Sequence, residues 1–137
     1  MAALVDSNIL LDVIEVGSEF ETWSTARLVE ARRKGPLVIN PIIYAEIAAG
    51  FDSEGMLESV LSPSKFERED LPWQAAFLAG RAFLQYRRSG GSRRSPLPDF
   101  YIGAHAVIRG HSLITRDRAR YAGYFPMLRV VSPETHP

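Results

Sequence analysis

Short apolar runs alternate along this chain with segments that carry helix signals, and this alternation constrains the fold more than any other feature of the sequence. Strands that are apolar throughout and are separated by helices are typical of a parallel sheet covered on both faces. Clear strands are predicted at residues 2–5, 37–39, 112–115 and 128–131, and a weaker one around residues 65–66. The sequence therefore predicts an α/β fold with three layers, α/β/α, around a parallel sheet of about five strands.

Capping residues and glycines predict where the helices begin and end. Asn40 followed by Pro41 is typical of an N-cap with proline in the first turn, and Gly110 is typical of a helix end. Ser18 and Glu21 have the spacing of a capping box in front of the second helix. Helices are predicted at residues 9–16, from this capping box to residue 34, and at residues 41–49, 52–61, 70–88 and 98–109.

Length and composition limit the class of protein. A chain of 137 residues is long enough for one domain, expected to span residues 1–137. The absence of cysteine excludes a disulfide framework, a zinc ribbon and thiol catalysis. Sixteen basic residues balance sixteen acidic ones, so a nucleic-acid partner has to be argued from where the charges lie. Because no apolar run is long enough to span a bilayer and no signal-peptide pattern is present, we expect a cytoplasmic protein without a membrane partner.

Four acidic residues occupy positions from which their side chains can meet at one edge of the predicted sheet. Asp6 follows the first strand by one residue, and Asp117 follows Thr115, the end of a later strand, by two. Binding sites of parallel α/β sheets lie at the carboxyl ends of the strands, which places both residues at that edge. Glu46 and Asp99 fall on the apolar faces of two predicted helices, where their carboxylates are expected to be buried.

Each of these acids also has an ordinary structural explanation, as a turn residue, a helix cap or a partner of a helix dipole. Together they are harder to explain in that way. Two carboxylates about 5 Å apart repel by roughly 3 kcal/mol at an effective dielectric constant of about 20, so a cluster of four is unstable unless a cation neutralises it. Ligands that are all oxygen favour Mg²⁺ or Mn²⁺ over zinc. The sequence therefore predicts a divalent-cation site.

The motifs around these acids resemble, in chain order, those of the PIN-domain nucleases, and the match covers nearly the whole chain. The matching segments are Asp6-Ser7-Asn8, Tyr44-Ala45-Glu46-Ile47, residues 98–106 around Asp99, and residues 113–117 ending at Asp117. Residues 124–126 and 130–133 resemble the C-terminal end of the VapC-type toxins of bacterial toxin–antitoxin pairs. This resemblance implies a Mg²⁺- or Mn²⁺-dependent endoribonuclease that cleaves RNA phosphodiester bonds with a metal-activated water, and a cognate antitoxin as its protein partner.

The resemblance also implies roles for individual residues. Asp6 and Asp99 would be the most direct metal ligands, and Asp117 and Glu46 would complete the site directly or through water.

Three further residues belong to the implied site. Asn8 and Thr115 would orient the carboxylates, and Arg116 would pair with the acidic cluster or contact a phosphate. Asp12 stays outside the predicted site, because a side chain at this position of the first helix could point to solvent.

A basic block follows the acidic segment at residues 67–70. Residues 71–98 contain no Asp or Glu but include five arginines, and residues 89–98 have the composition of a loop. Because the guanidinium fork suits phosphate, Arg87, Arg93 and Arg94 are candidate RNA contacts. In the alternative interpretation the helix arginines are solvated and pair with nearby acids.

The remaining signals point to packing or interfaces. Four aromatic residues lie at helical spacings and are expected to be core or protein-interface residues rather than base-stacking platforms: Trp23, Trp73, Phe77 and Phe83. Any of them that is exposed would indicate a homodimer or antitoxin interface. His105, His111 and His136 lack the spacing of a metal site, and His105 is expected to be a packing or surface residue of its helix.

Two other functions stay open. One is an inactive PIN-like module that binds RNA or a protein. The other is a receiver-type signalling domain, which is disfavoured because neither Lys34 nor Lys65 follows one of the last strands.

Overall fold

The structure, a computed structural model, describes residues 1–94 and 97–137 and has a five-stranded sheet in which all paired strands are parallel. The strands are β1 (Ala3–Val5), β2 (Leu37–Ile39), β3 (Glu67–Arg68), β4 (Ser112–Ile114) and β5 (Val130–Val131). The helices are α1 (Ser7–Ile14), α2 (Glu21–Lys34), α3 (Pro41–Ala48), α4 (Glu54–Val60), α5 (Trp73–Arg88), α6 (Pro98–Arg109) and α7 (Ala119–Ala122). This three-layer α/β/α arrangement confirms the predicted fold class.

The sheet has the strand order β3-β2-β1-β4-β5, so the first strand of the chain lies at its centre. Leu4 of β1 is in register with Val38 of β2 on one side and with Leu113 of β4 on the other. The order of strands reverses at β1, because β2 and β3 add to one side and β4 and β5 to the other. A crevice at the carboxyl ends of β1 and β4 is therefore the expected place for a binding site.

The core lies on both faces of the three inner strands. Every residue of β1, β2 and β4 is buried, which explains why these strands are apolar without alternation. Among the described residues, no helix combines the length and hydropathy that a bilayer span requires.

The capping-box prediction for α2 is wrong. Phe20 precedes the helix, and its side chain provides no capping hydrogen bond. The Glu21 carboxylate instead accepts a hydrogen bond from the backbone N–H of Gly17 (2.7 Å), and the Ser18 hydroxyl donates to the backbone carbonyl of Asp12 (2.8 Å). Both side chains therefore stabilise the connection between α1 and α2. The spacing of Ser18 and Glu21 in the sequence is the same in such a connection as in a capping box.

The other boundaries differ from the prediction by a few residues. Asp6 is itself the N-cap of α1, so this helix begins at Ser7, two residues earlier than predicted, and ends at Ile14. The weak third strand lies at Glu67–Arg68 rather than at residues 65–66, and it pairs with Val38 and Ile39 at the edge of the sheet. Both residues of β3 are exposed, which explains its weak apolar signal.

Candidate metal centre

The site is built at the ends of β1 and β4, beginning with Asp6. This residue directly follows β1, is 2% exposed and caps α1: its Oδ1 atom accepts a hydrogen bond from the backbone N–H of Ser7 (2.8 Å). An extended backbone at Asp6 turns the chain from strand to helix, which is the usual geometry of an aspartate N-cap. Capping therefore fixes the direction of this carboxylate.

The second oxygen of Asp6, Oδ2, is held by three side chains from other parts of the chain. It accepts hydrogen bonds from the Thr115 hydroxyl (2.8 Å), from the Tyr121 hydroxyl (2.9 Å) and from the Asn8 amide (3.4 Å). Thr115 follows β4 and Tyr121 lies in α7, so distant segments fix one carboxylate. Such surrounding donors orient a metal ligand before the metal arrives.

Asp99 lies in the first turn of α6 and faces Asp6 across the hydroxyl of Tyr121. This hydroxyl is within hydrogen-bonding distance of Asp99 Oδ1 (3.3 Å) as well as of Asp6 Oδ2. Tyr121 has no exposed surface, and its ring packs against Gly103 of α6, where a β-carbon would collide with the Phe125 ring and crowd the Tyr121 ring. The absence of a side chain at Gly103 therefore allows α7 to approach α6 closely enough to link the two acids.

Asp117 follows β4 and is tied to the same network. The Asn8 amide nitrogen donates to Asp117 Oδ2 (3.2 Å), and the Asn8 carbonyl oxygen accepts from the backbone N–H of Arg116 (3.2 Å). The guanidinium of Arg120 lies 3.5 Å from Asp117 Oδ2 and 3.7 Å from Asp99 Oδ2. Asn8 thus joins the two strand ends, and Arg120 brings a positive charge to two of the acids.

Glu46 reaches the cluster from α3, but not in the way predicted. The sequence predicts a buried glutamate, whereas Glu46 is exposed, because Ile43 and Ile47 occupy the core-facing positions of this short helix. Its Oε1 atom accepts a hydrogen bond from the Ser7 hydroxyl (3.1 Å), and Ser7 is the residue next to Asp6. The structure therefore brings Glu46 to the rim of the site.

Burial and like charges raise the pKa of two of these acids. Burial is the main cause of the raised pKa of Asp99, and the carboxylates of Asp6 and Asp117 add to it, whereas Arg120 opposes it. The pKa of Glu46 is raised by partial desolvation of its carboxylate at the rim and by the charges of Asp6 and Asp99, against the hydrogen bond from Ser7. Both shifts show that the folded protein disfavours the charged form of these carboxylates, as expected for a site that a cation completes.

The chemistry of the donors fits a hard divalent cation. Carboxylate oxygens are the ligands that Mg²⁺ and Mn²⁺ prefer, and a positively charged group, the guanidinium of Arg120, already lies beside two of the carboxylates.

Arg116 lies at the edge of the site but is engaged elsewhere. Its Nε atom donates to Asp12 Oδ2 (2.7 Å), and its guanidinium lies 4.6 Å from the centre of the Phe20 ring. Asp12 also accepts a hydrogen bond from Ser24 (2.7 Å) and is 5% exposed. The suggestion that Asp12 points to solvent is therefore wrong, because it is the buried partner of Arg116.

A second cluster, which the sequence did not reveal, joins Glu69, His105 and His111. Among the described residues, the potential ligand atoms of these three side chains all lie within 4.8 Å of one another. The carboxylate oxygens of the four acids of the site do not meet this distance criterion. The Nε2 atoms of both histidines lie 2.9 Å from Glu69 Oε1. Histidines that are six residues apart meet here because α6 ends between them.

The protonation of His105 follows from its neighbours. The carbonyl oxygen of Asn40 accepts from the backbone N–H of Ile43, so its amide nitrogen faces His105 Nδ1 at 2.9 Å and donates to it. The ring proton is therefore on Nε2 and is donated to Glu69. A metal at Nε2 would need the proton on Nδ1, against the Asn40 amide, so this cluster is satisfied as a hydrogen-bonded group.

The predicted RNA-binding arginines lie at the end of α5 and in the segment that follows it. Arg87, at the end of α5, donates to the backbone carbonyl of Arg93 (2.8 Å), and the exposed Arg93 and Arg94 follow. Residues 95–96 of the predicted loop lie outside the described residues. Arg87 therefore helps to fix the backbone at Arg93.

Comparison with known proteins identifies the family. The sequence profile of the PIN domain matches residues 3–123, a range that includes Asp6, Glu46, Asp99 and Asp117. The chain belongs to the PIN-domain family.

Individual relatives of this PIN domain agree with that assignment. Ribonuclease VapC10 of Mycobacterium tuberculosis is 29% identical over 130 residues, which cover 95% of this chain and 90% of that protein. VapBC2 from Rickettsia felis, solved bound to a promoter DNA fragment, has a TM-score of 0.74 at 19% identity and covers 96% of this chain and 98% of its own. A toxin–antitoxin complex from Klebsiella pneumoniae has a TM-score of 0.65 at 25% identity, with coverage of 96% and 97%. These structural likenesses support the fold of this PIN domain.

Two residues of the site were not found from the sequence. Arg120 and Tyr121 lie in α7, a helix of four residues that shows no periodic pattern. The signal that was available is their position three and four residues after Asp117, which places them within one helical turn of a candidate ligand.

Proposed function

We propose that this PIN domain is a divalent-cation-dependent endoribonuclease and the toxin of a toxin–antitoxin pair. The observation that carries the proposal is the convergence of four carboxylates from four separate segments of the chain, linked by Tyr121, Asn8 and Ser7 and met by a guanidinium. Family membership and the likeness to a protein named as a ribonuclease support the reaction class. A toxin that acts on cellular RNA is expected in the cytoplasm.

The proposed mechanism gives the cation and each acidic residue a separate role. When bound, Mg²⁺ or Mn²⁺ supplies a water of lowered pKa and positive charge for the phosphate. Asp6 and Asp99 are the proposed direct ligands, and Tyr121 fixes their separation. Asp117 and Glu46 lie further out and act directly or through the waters that Mg²⁺ usually keeps.

The test is metal-dependent cleavage of a short end-labelled RNA. Wild-type protein should cut it in Mn²⁺ or Mg²⁺ and should not cut it in EDTA. Asp99→Asn should fold and lose cleavage, because the amide keeps the shape but not the charge. Asp52→Asn changes an exposed acid outside the site and serves as the matched control. Cleavage that persists in EDTA, or that Asp99→Asn retains, would contradict the proposal.

The inactive binding module is the competing function, and the same assay separates it from a nuclease. A protein that binds Mn²⁺ and retains RNA but leaves every RNA intact would be such a module.

An apolar groove supports the antitoxin as partner. The groove, of about 950 Å³, lies between α1, α2, α4 and β2, and Leu28, Leu37 and Phe66 contribute to its apolar lining. Basic side chains also line it: Arg32, Arg33 and Lys65. This combination fits an amphipathic antitoxin segment with acidic residues beside its apolar face. Two structural relatives, VapBC2 from Rickettsia felis and the Klebsiella pneumoniae complex described as toxin–antitoxin, agree with this partner.

RNA and a second copy of the chain are the other proposed partners. RNA would contact Arg93 and Arg94, which are exposed. A homodimer would cover Trp73 and Phe77 of α5, whose side chains are 89% and 68% exposed. Exposure of two large aromatic residues one helical turn apart favours the interface interpretation over a core one.

A further inference from the structure

Two arginines lie beside the acidic site, and the structure gives them different degrees of freedom. Arg116 makes a hydrogen bond of 2.7 Å to the buried Asp12 and stacks on Phe20, so it is fixed. Arg120 lies 3.5 and 3.7 Å from Asp117 and Asp99, longer than the roughly 2.7–2.9 Å of a charge-assisted hydrogen bond. The Arg120 side chain is 57% exposed. Arg120 is therefore loosely held and able to leave.

The backbone of Arg120, in contrast, is anchored at the site. Its neighbour Tyr121 has no exposed surface and hydrogen-bonds to Asp6 and Asp99. A guanidinium on this anchor stays within one side-chain length of the acids even when it moves away from them. Its planar fork matches the oxygens of a phosphate as well as those of a carboxylate.

A divalent cation and this guanidinium compete for the same carboxylates. A cation held by Asp6 and Asp99, with Asp117 bound directly or through water, would satisfy the carboxylates that Arg120 contacts and would repel its positive charge. The side chain would then be free at the mouth of the site, where the phosphate of a substrate arrives.

We propose that Arg120 is the phosphate-binding arginine of this site, held on Asp99 and Asp117 until a divalent cation displaces it. The inference rests on the proposed nuclease function and assigns to Arg120 the substrate contact that the sequence suggested for Arg116. Phosphate binding and metal binding are then coupled through one side chain.

The first experiment measures Mn²⁺ binding by titration calorimetry and by the metal-induced rise in melting temperature. Arg120→Gln should bind Mn²⁺ about three- to tenfold more tightly than wild type, because two weak ion pairs no longer compete. Arg118→Gln, which removes the same charge from an exposed residue two positions earlier, is the matched control and should bind like wild type. If Arg120→Gln bound Mn²⁺ as tightly as wild type or more weakly, the proposed displacement of Arg120 by the cation would be wrong.

The second experiment measures binding of a fluorescent single-stranded RNA by anisotropy, in Ca²⁺ and in EDTA. In Ca²⁺, Arg120→Gln should bind RNA several-fold more weakly, and the salt slope of binding should fall by about 0.7, the value for one phosphate contact on a single strand. In EDTA the two proteins should bind alike. Arg120→Lys keeps the charge without the fork and should recover the salt slope but not the full affinity.

Failure of this inference differs from failure of the proposed function. If wild-type protein binds no Mn²⁺, the nuclease proposal fails whatever Arg120 does. If wild type binds Mn²⁺ and cuts RNA but Arg120→Gln binds RNA normally in Ca²⁺, the phosphate role of Arg120 is wrong and the nuclease proposal stands.

Discussion

Tyr121 places a neutral hydroxyl between two carboxylates that repel each other. Its ring is fully buried, and burial together with the charges of Asp6 and Asp99 raises the pKa of its phenol well above the usual range. The hydroxyl therefore stays protonated and acts as a donor over the whole pH range in which the protein is folded. Its one proton is shared between two acceptors, Asp6 Oδ2 at 2.9 Å and Asp99 Oδ1 at 3.3 Å, so the hydroxyl bridges the two carboxylates without neutralising them.

Tyr121→Phe should weaken the site more than the fold. The substitution keeps the ring, so no large cavity forms, and we expect the free energy of unfolding to fall by about 1–2 kcal/mol. Mn²⁺ affinity should fall by about tenfold or more, as is typical when a group that orients metal ligands is removed. Urea denaturation and calorimetry measure the two effects. Tyr124→Phe, on a ring that packs against Phe100, is the control and should leave Mn²⁺ binding unchanged.

Asp99→Asn should stabilise the protein in EDTA at neutral pH. The folded-state pKa of Asp99 is raised, so the stability that its protonated form contributes is present below the ordinary value of 3.8 and is lost as pH rises through the folded-state pKa. The uncharged amide avoids that loss. Melting temperatures should differ at pH 7 and converge at about pH 4. A lower melting temperature for Asp99→Asn at pH 7 would contradict the raised pKa.

The positions of three acids relative to strands and helices made them predictable, whereas their connections were not. Asp6 and Asp117 follow apolar strands, and Asp99 opens an apolar helix, so each carries a local signal. Glu46 has a similar signal, but α3 has eight residues and its core positions are already filled by isoleucines. The contact of Tyr121 with Asp6 spans 115 residues and depends on how α7 packs on α6, which no local pattern encodes.

At the scale of elements, buried polar groups join helices and strands that apolar packing alone would leave free to slide. Asp12 of α1 accepts hydrogen bonds from Ser24 of α2 and from Arg116 after β4. Glu69 after β3 joins His105 of α6 and His111 before β4. Each group connects three segments through one carboxylate, and this fixes how the layers meet.

Asp12→Ala should destabilise the fold although Asp12 lies outside the predicted site. It removes the partner of a half-buried guanidinium and of a buried hydroxyl, so we expect a loss of about 2–3 kcal/mol. Glu15→Ala removes an exposed acid one turn further along the chain and should change stability by less than about 0.5 kcal/mol. Urea denaturation of both variants tests this. If Asp12→Ala and Glu15→Ala unfolded at the same urea concentration, Asp12 would be solvated rather than buried.

The Glu69 cluster explains why a histidine can be fully buried in α6. Burial lowers the pKa of His105, against the opposing effect of Glu69, so its neutral form is favoured. Hydrogen bonds from His111 and His105 lower the pKa of Glu69, against its burial. Both shifts favour the fold above the ordinary pKa values of these groups and oppose it as pH falls below them. The sequence shows only two histidines near a helix end, because their acceptor lies on another strand.

At the scale of the whole molecule, a net charge of zero conceals two basic regions for which we propose different partners. Arg32 and Arg33 line the apolar groove, whereas Arg93 and Arg94 precede the helix that carries Asp99. All four arginines are exposed, and replacing either pair with glutamine lowers the net charge by the same amount. Their functions can therefore be separated by variants matched in charge.

The two pairs should behave in opposite ways. Arg93→Gln with Arg94→Gln should weaken RNA binding and lower its salt slope by about 0.7 for each phosphate contact that is lost. Arg32→Gln with Arg33→Gln should leave RNA binding unchanged and weaken binding of an acidic amphipathic helical peptide, the kind of segment proposed for the groove. Anisotropy with labelled RNA and calorimetry with such a peptide measure the two effects. Equal effects of both pairs on RNA would mean that only total charge matters.

The central position of β1 has a consequence for synthesis of the protein. The first strand to leave the ribosome pairs on one side with β4, and Asp6 and Thr115, which meet in the finished fold, are 109 residues apart. A chain still being translated therefore cannot assemble the acidic site until β4 and Asp117 have left the ribosome. Under the proposed function, the nascent chain would stay inactive for most of its synthesis, because the residues that complete the acidic site are made late.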